Sequence, residues 1–552
     1  MIRTCTMLIC LWIAAGHAAE NAANWPSYFG NHGAWSYSSL NQIDTNNVAR
    51  LMPAWSFAIG KSPDGLSATP LVLDGVLFLP TPQNEVFALD AATGQVIWTY
   101  REKPLTGRTG ARKPLGLAAG FGFIFLAASD HRLIALDQQT GREVWSVQVS
   151  DPRQCGCGPA VAPLLVKDKV ILGVSSSDTG HRGYIDAYDA RTGRFVWRFW
   201  AIPGPGEPGH DTWPEDLWRL GTASTWFPGS YDPTLNLIFW GVGNPGPMLG
   251  GDYPGNKLFS DSLVALDADT GRLRWYFQHI KNDKLDYDST LEPVLIDSRA
   301  SGKLQRLIVQ PTKSGFAYVI DRQTGRFVRG FRFADTINWT PGLDGNGQPL
   351  EPRLRIALDT DTVECPGLFG ARAIGHSTYS EQTGLWYNTS YETCSVLTGV
   401  PNRPPQEGVT FNAARYRETH IAPSSHPYVA AYDPVTGTRK WIYPTHSVNV
   451  ASLLSTAGGL VFGGDIFGEL WALDAAAGHE LWSFDVGTGI SGTPITFAAK
   501  GQQYLAVTAG MGWVATALVN DVLTPDEKQH LPQPGAVLTV FTLPPAARER
   551  SQ

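Results

Sequence analysis

The segment Asp286-Tyr287-Asp288 holds two carboxylates two residues apart. On an extended backbone, side chains at that spacing point to one face, so the pair would converge on one point. Carboxylates that close raise each other's pKa unless a cation neutralises them, and a metal ion is the simplest remedy. By itself the tripeptide reads first as a hydrated acidic turn. Two more segments offer oxygen: Asp178 in Ser175-Ser176-Ser177-Asp178-Thr179-Gly180, and Asn244 in Gly241-Val242-Gly243-Asn244-Pro245. Each alone suits a turn, Asp178 as a cap and Asn before Pro as a turn opener. With Asp286 and Asp288 they form an oxygen-only set of three carboxylates and one amide. Such a set suits calcium or another hard ion and does not suit zinc or copper.

Trp226, in Ser224-Thr225-Trp226-Phe227, follows a Pro/Gly/Trp-rich stretch, where a flat aromatic face could support a planar cofactor. Lys313, in Pro311-Thr312-Lys313-Ser314-Gly315-Phe316, enters a predicted strand; a Lys there is ordinarily solvated.

The elements that must position these residues come from a repeat. The phrase Ala-x-Asp-x-x-Thr-Gly-x-x-x-Trp runs from Ala88 to Trp98, Ala135 to Trp145, Ala187 to Trp197, Ala265 to Trp275 and Ala431 to Trp441. The copy from Ala472 to Trp482 has Ala477 in place of Thr, and the copy at Ile320-Asp321-Arg322-Gln323-Thr324-Gly325 lacks the Trp. Asp and Gly at a tight turn fit the chemistry of a β-hairpin, the carboxylate accepting backbone N–H groups and Gly tolerating positive φ. Repetition at this period predicts an all-β, eight-bladed β-propeller with tryptophan-docking repeats. Strands near residues 492–508 and 536–543 build the last blade, and Ala54-Trp55-Ser56-Phe57 is expected to close it and remove a free sheet edge. Insertions are read at residues 203–221 and from Arg329 to about Tyr428. Long loops on a rigid scaffold are where sites tend to be built.

A net charge of -7 over 552 residues leaves no basic field, which argues against a nucleic-acid partner. Residues 1–19, with Arg3 before an apolar run, read as a secretory signal peptide, leaving residues 20–552 as one propeller domain in the periplasm. No later stretch is apolar enough to span a membrane, so no transmembrane anchor is expected. The remaining four cysteines, Cys155, Cys157, Cys365 and Cys394, fit two disulfides in an oxidising compartment. Cys365 with Cys394 would close a long loop between blades. No Cys-x-x-Cys-His is present, so no c-type haem is attached.

The repeat, together with Asn24-Trp25-Pro26-Ser27-Tyr28, Tyr37-Ser38, His181-Arg182-Gly183-Tyr184, Tyr231-Asp232-Pro233, Gly243-Asn244-Pro245, Asp286-Tyr287-Asp288 and Gly501-Gln502-Gln503-Tyr504, resembles the quinoprotein alcohol dehydrogenases. That family uses pyrroloquinoline quinone (PQQ) on an eight-bladed propeller. The resemblance implies that Trp226 stacks on the quinone, that Asp178 and Asn244 ligate the metal with Asp286, and that Asp286 is the catalytic base. It implies that Lys313 contacts a quinone carbonyl and that Ser175, with Ser176 and Ser177 beside it, meets a cofactor carboxylate. Asp288 stands where lanthanide-using members carry an extra Asp and calcium-using members a small residue. The implied activity is oxidation of an alcohol or aldehyde by hydride transfer to PQQ. An external acceptor such as a soluble cytochrome c would then reoxidise the cofactor.

The chain departs from the family pattern in several places. Asp178 is one methylene shorter than the usual Glu, and the adjacent-cysteine disulfide over the cofactor is missing. The matching stretch, residues 106–116, carries Arg108, Arg112 and Lys113, of which Arg112 is taken as the partner of a cofactor carboxylate. Ser67 replaces a usual Glu, while Ala160 and Val450 replace a hydroxyl and an aromatic. Cys155-Gly156-Cys157 lies a few residues before Ala160 and would supply the missing disulfide cover; the alternative is a packing role. A competing reading of the whole chain is a catalytically inactive propeller acting as a binding or assembly scaffold.

Overall fold

Seven Asp-centred turns link antiparallel strands in the computed structural model, which describes residues 23–60, 62, 64–101, 115–151, 157–159, 161–175, 178–299 and 302–545. The turn chemistry is as the repeat predicts. Asp137 accepts from the Thr140 amide at 2.8 Å and its hydroxyl at 2.7 Å, and Asp189 repeats the pattern on Thr192 at 2.9 and 2.8 Å. Where Ala477 replaces Thr, Asp474 keeps only amide donors, from Ala476 and Ala477.

Trp98, Trp145, Trp197, Trp275 and Trp441 each dock on the next copy's glycine, while Trp482 packs on Phe541. Gly94, Gly141 and Gly193 have φ near 70°, and a methyl on them would come within 2.5, 2.4 and 2.6 Å of Trp55, Trp98 and Trp145. Only glycine fits this left-handed, indole-covered position. The copy without a Trp shows how the rule survives. Phe331, opposite Ala317 in the strand register, stands against Gly437, whose Cβ would lie 2.9 Å from its ring. The aromatic has moved two residues along the same face of the strand.

Among the described residues the strands form eight sheets of four or five strands and one of three. The architecture is a β-propeller. Ile495–Ala499, Gln502–Ala509 and Val537–Thr542 are closed by the early strand Met52–Ala58, with Trp55 opposite Val540, as expected. The chain's early part also adds a parallel pair, Tyr37–Ser38 on Leu454–Thr456. Among the described residues, helix is confined largely to Trp513–Val522 and the capped turn Pro525–Gln529. Among the described residues no helix is long and apolar enough to cross a membrane.

The second insertion is smaller than expected. Phe327–Arg332 is a sheet strand, and Thr378–Ser380 and Leu385–Ser390 pair with Tyr428–Asp433 and Thr438–Pro444 in a four-stranded sheet. Those two strands carry no copy of the repeat, so spacing gave no sign of them. What is inserted are two stretches around that hairpin, which meet as the three-stranded sheet Asp361–Glu364, Thr393–Gly399 and Ala414–Ile421. Cys365 and Cys394 are disulfide-bonded within this layer. Cys157 is also disulfide-bonded, while Cys155 and residues 1–22 lie outside the described residues.

Candidate functional site

The inner ends of successive sheets bring the expected oxygen donors together. Residues 223–226 run between two other segments: the Thr225 amide donates to Val174 O at 2.8 Å, while Gly243 N donates to Ser224 O at 2.7 Å and Ala223 N to Asn244 O at 3.1 Å. Trp226 is thereby held beside both Ser175 and Asn244. Asn244 in turn donates its backbone N–H to Asp288 Oδ1 at 3.1 Å. Gly243 is required at this approach, because a Cβ there would lie 2.2 Å from that same carboxylate oxygen.

Asp286 and Asp288 converge, but not along an extended strand. Asp286 lies outside any strand with φ 61°, a left-handed conformation that costs a non-glycine residue and persists only when its surroundings enforce it. The enforcement is visible: the Asp283 carboxylate accepts from Leu285 N at 3.0 Å and Tyr287 N at 2.7 Å, curling the chain around Asp286. The buried Tyr287 hydroxyl then reaches across to Pro366 O at 2.9 Å.

Lys313 is buried, unlike the ordinary solvated Lys at a loop–strand junction. Its Nζ lies 2.7 Å from Asp286 Oδ2 and 3.5 Å from Asp288 Oδ2, with side-chain exposures of 6%, 8% and 10% respectively. Burial pushes the Asp286 carboxyl well above the ordinary range; Lys313 pulls it back, and the charges of Asp178 and Asp288 push it further up. Burial also disfavours the Lys313 ammonium, yet Asp286 and Asp288 outweigh it and raise its pKa. Asp178, half-buried at φ 59°, acts on both groups through its charge, so all three acids expected from sequence share one electrostatic neighbourhood. Its backbone carbonyl accepts from Phe411 N at 3.0 Å, which ties it to the inserted loop. Behind them burial pushes Asp261 well above the carboxylate range, helped by Asp283, Asp288 and Asp286.

The donor set fits a hard cation. Asp286 Oδ1 and Ser175 Oγ are buried with no hydrogen-bond partner among the described residues, the kind of atom that an ion or a polar cofactor group would meet. Among the described residues no three Asp, Glu, His or Cys side chains already cage an ion, and Lys313 neutralises the acids instead.

Trp226 lines a cavity with Tyr28, Leu115, Val161, Ile374 and Ala515. Sequence reasoning singled out Ser67 in this cavity's wall but missed the hydroxyls it meets there. Ser67 Oγ and Ser491 Oγ are 2.5 Å apart, Thr69 donates to Thr493 Oγ1 at 2.7 Å, and Thr493 to Ser452 Oγ at 3.0 Å. These residues come from distant parts of the chain, and no local spacing links them. Val450 packs in the apolar layer under the helix with Ala373, Ile466 and Leu518, so the position offers no aromatic face. Arg112, Ser176, Ser177 and Ala160 lie outside the described residues.

Residues 25–332 and 435–505 match the family described as PQQ: glucose/ethanol/alcohol dehydrogenase, beta-propeller domain. The quinoprotein alcohol dehydrogenase PedH of Pseudomonas putida is 33% identical over 517 residues, covering 86% of this chain and 84% of the relative. Methanol dehydrogenase [cytochrome c] subunit 1 of Methylobacterium organophilum is 31% identical over 547 residues, covering 91% and 86%. A solved europium-containing methanol dehydrogenase superposes with a TM-score of 0.88 at 32% identity, covering 95% of this chain and 98% of that one. The chain belongs to the family of PQQ-dependent quinoprotein alcohol dehydrogenases, oxidoreductases built on a β-propeller.

Proposed function

We propose that this chain is an exported, PQQ- and metal-dependent dehydrogenase that oxidises a small alcohol or aldehyde. The observation that carries this reading is the buried contact of Lys313 with both Asp286 and Asp288, with Asn244 bonded to Asp288 and one Asp286 oxygen left without a partner. A pure scaffold has no use for such a group of charges next to a tryptophan-lined cavity. The metal, calcium or a lanthanide, would be held by Asp178, Asn244, Asp286 and Asp288. Asp288 brings a third carboxylate, which favours an ion of higher charge, in line with the europium-containing relative.

When bound, PQQ accepts the hydride and the metal polarises its carbonyl as a Lewis acid. The chain's own residues prepare the rest. Asp286, buried and with one oxygen free, takes the proton of the substrate hydroxyl. Lys313, held against Asp286 and Asp288, would offer its ammonium to the quinone oxygen. Trp226 provides the stacking face, and Ser175, Ser176, Ser177 and Arg112 are assigned to the cofactor's carboxylates. The eight sheets of four or five strands support an eight-bladed count over residues 20–552, residues 1–19 serve as the signal peptide, and the protein works in the periplasm. A soluble cytochrome c is the proposed electron acceptor, as the name of one relative suggests.

Dye-linked reduction after reconstitution with PQQ and either calcium or lanthanum, read over a panel of alcohols, tests this function. Turnover with at least one alcohol is expected. Absence of both quinone binding and turnover would favour the inactive scaffold.

A further inference from the structure

The disulfide layer reaches the site through the Tyr287 side chain and through the backbone beside Lys313. Cys365 precedes Pro366, whose carbonyl accepts the Tyr287 hydroxyl at 2.9 Å, and Tyr287 stands between Asp286 and Asp288. The loop that follows Pro366 is pinned at each step. Gly367 N donates to Thr393 O at 2.8 Å, Leu368 N to Ser395 Oγ at 2.8 Å, and Ala371 N to Lys313 O at 2.8 Å. Gly370 presses on Lys313 so closely that a Cβ would lie 2.5 Å from the lysine Cβ. Cys394 belongs to the strand Thr393–Gly399 that receives the first two of these bonds, and its disulfide to Cys365 anchors the loop at its start.

We propose that Tyr287 and the loop anchored by Cys365–Cys394 are a positioning brace: they hold Asp286 in its left-handed conformation and Lys313 against it, so that the oxygen donors are preset for the ion. This rests on the reading of Asp286 and Lys313 as site residues. Asp286 needs such enforcement, because its backbone conformation is unfavourable on its own and no strand ladder supports it. The brace acts from behind the carboxylates, leaving Asp286 Oδ1 without a partner on the protein side.

The test compares Tyr287→Phe with Tyr432→Phe, a matched loss of one buried hydroxyl bond to a backbone carbonyl, Tyr432 to Phe333 O at 3.0 Å, far along the chain from the site. Europium emission reports ion affinity of the PQQ-loaded protein, and steady-state kinetics separate kcat from KM. Tyr287→Phe is expected to weaken europium binding about five- to tenfold, as the loss of one buried hydrogen bond allows, and to lower kcat while KM stays near wild type. Tyr432→Phe is expected to leave both unchanged. The double variant Cys365→Ser with Cys394→Ser is expected to shift affinity in the same direction as Tyr287→Phe. Wild-type binding of quinone and ion with Tyr287→Phe indistinguishable from it overturns the brace alone. A wild-type protein that binds neither overturns the functional reading and the brace with it.

Discussion

Aspartate has opposite fates at the rim of the propeller and at its centre. At the rim, Asp137 and Asp189 sit in turns where hydrogen bonds from Thr140 and Thr192 hold their carboxyls below the ordinary range. At the centre, burial drives Asp286 and Asp261 well above it. The rim acids are satisfied by amides and hydroxyls two and three residues away, so each copy of the turn is locally complete. The central acids depend on groups tens of residues away in the chain, and one oxygen of Asp286 and both of Asp261 find no partner among the described residues. Buried polar groups without partners are costly. Such atoms are found in several parts of the molecule; that of Asp286 is singled out by the acids and the buried Lys313 gathered around it.

The largest expected effect comes from breaking the central side. Asp286→Asn removes the proton acceptor while keeping the shape, and turnover of the reconstituted enzyme is expected to fall by about a thousandfold or more. The same change at Asp137 should leave kcat within experimental error. Next, Lys313→Met leaves buried carboxylates without their cation, a loss on the order of 3–5 kcal/mol in the metal-free protein. Lanthanum should restore much of it, which denaturant melts with and without the ion would show; an equal loss in both conditions would mean the acids do not hold the ion.

On the rim side, Trp98→Ala strips the cover from Gly141 and the indole's bond to Gln138 O at 3.1 Å. It is expected to cost about 3 kcal/mol in unfolding free energy while leaving ion affinity unchanged. The smallest effect is that of acid. Because the Asp137 and Asp189 carboxyls are depressed in the folded protein, their contribution is present above the unfolded value and fades as pH falls through the folded one. Both groups are partly exposed, so replacing either by Asn should change the acid limb of a melting profile only slightly.

The same contrast decides what could be read from the sequence. The rim is local and repeated: Asp, Gly and Trp recur at constant spacing, so the architecture, the closing strand at Met52–Ala58 and the docking of most of the repeated indoles were legible, and even the copy without a Trp keeps an aromatic at Phe331. The centre is assembled once, from segments far apart. The grouping of Asp178, Asn244, Asp286 and Asp288 was legible through family resemblance, whereas the route by which they meet was not. Asp286 reaches Asp288 through a left-handed turn organised by Asp283, Lys313 is buried between them, and Tyr287 is tied to a loop 79 residues away. The hydroxyl wall from Ser67 to Thr493 has no local signature at all, because its members meet only after the ring closes.

The central claim is that these scattered oxygens take a hard ion next to the quinone. Europium titration of PQQ-loaded wild type against Asp288→Ala, followed by ion emission and quinone absorbance together, tests it most directly. The account predicts one tight ion per chain in the wild type, a perturbed quinone spectrum on binding, and an affinity at least tenfold weaker in the variant. Equal affinity in both proteins, or ion binding that leaves the quinone spectrum untouched, would contradict it.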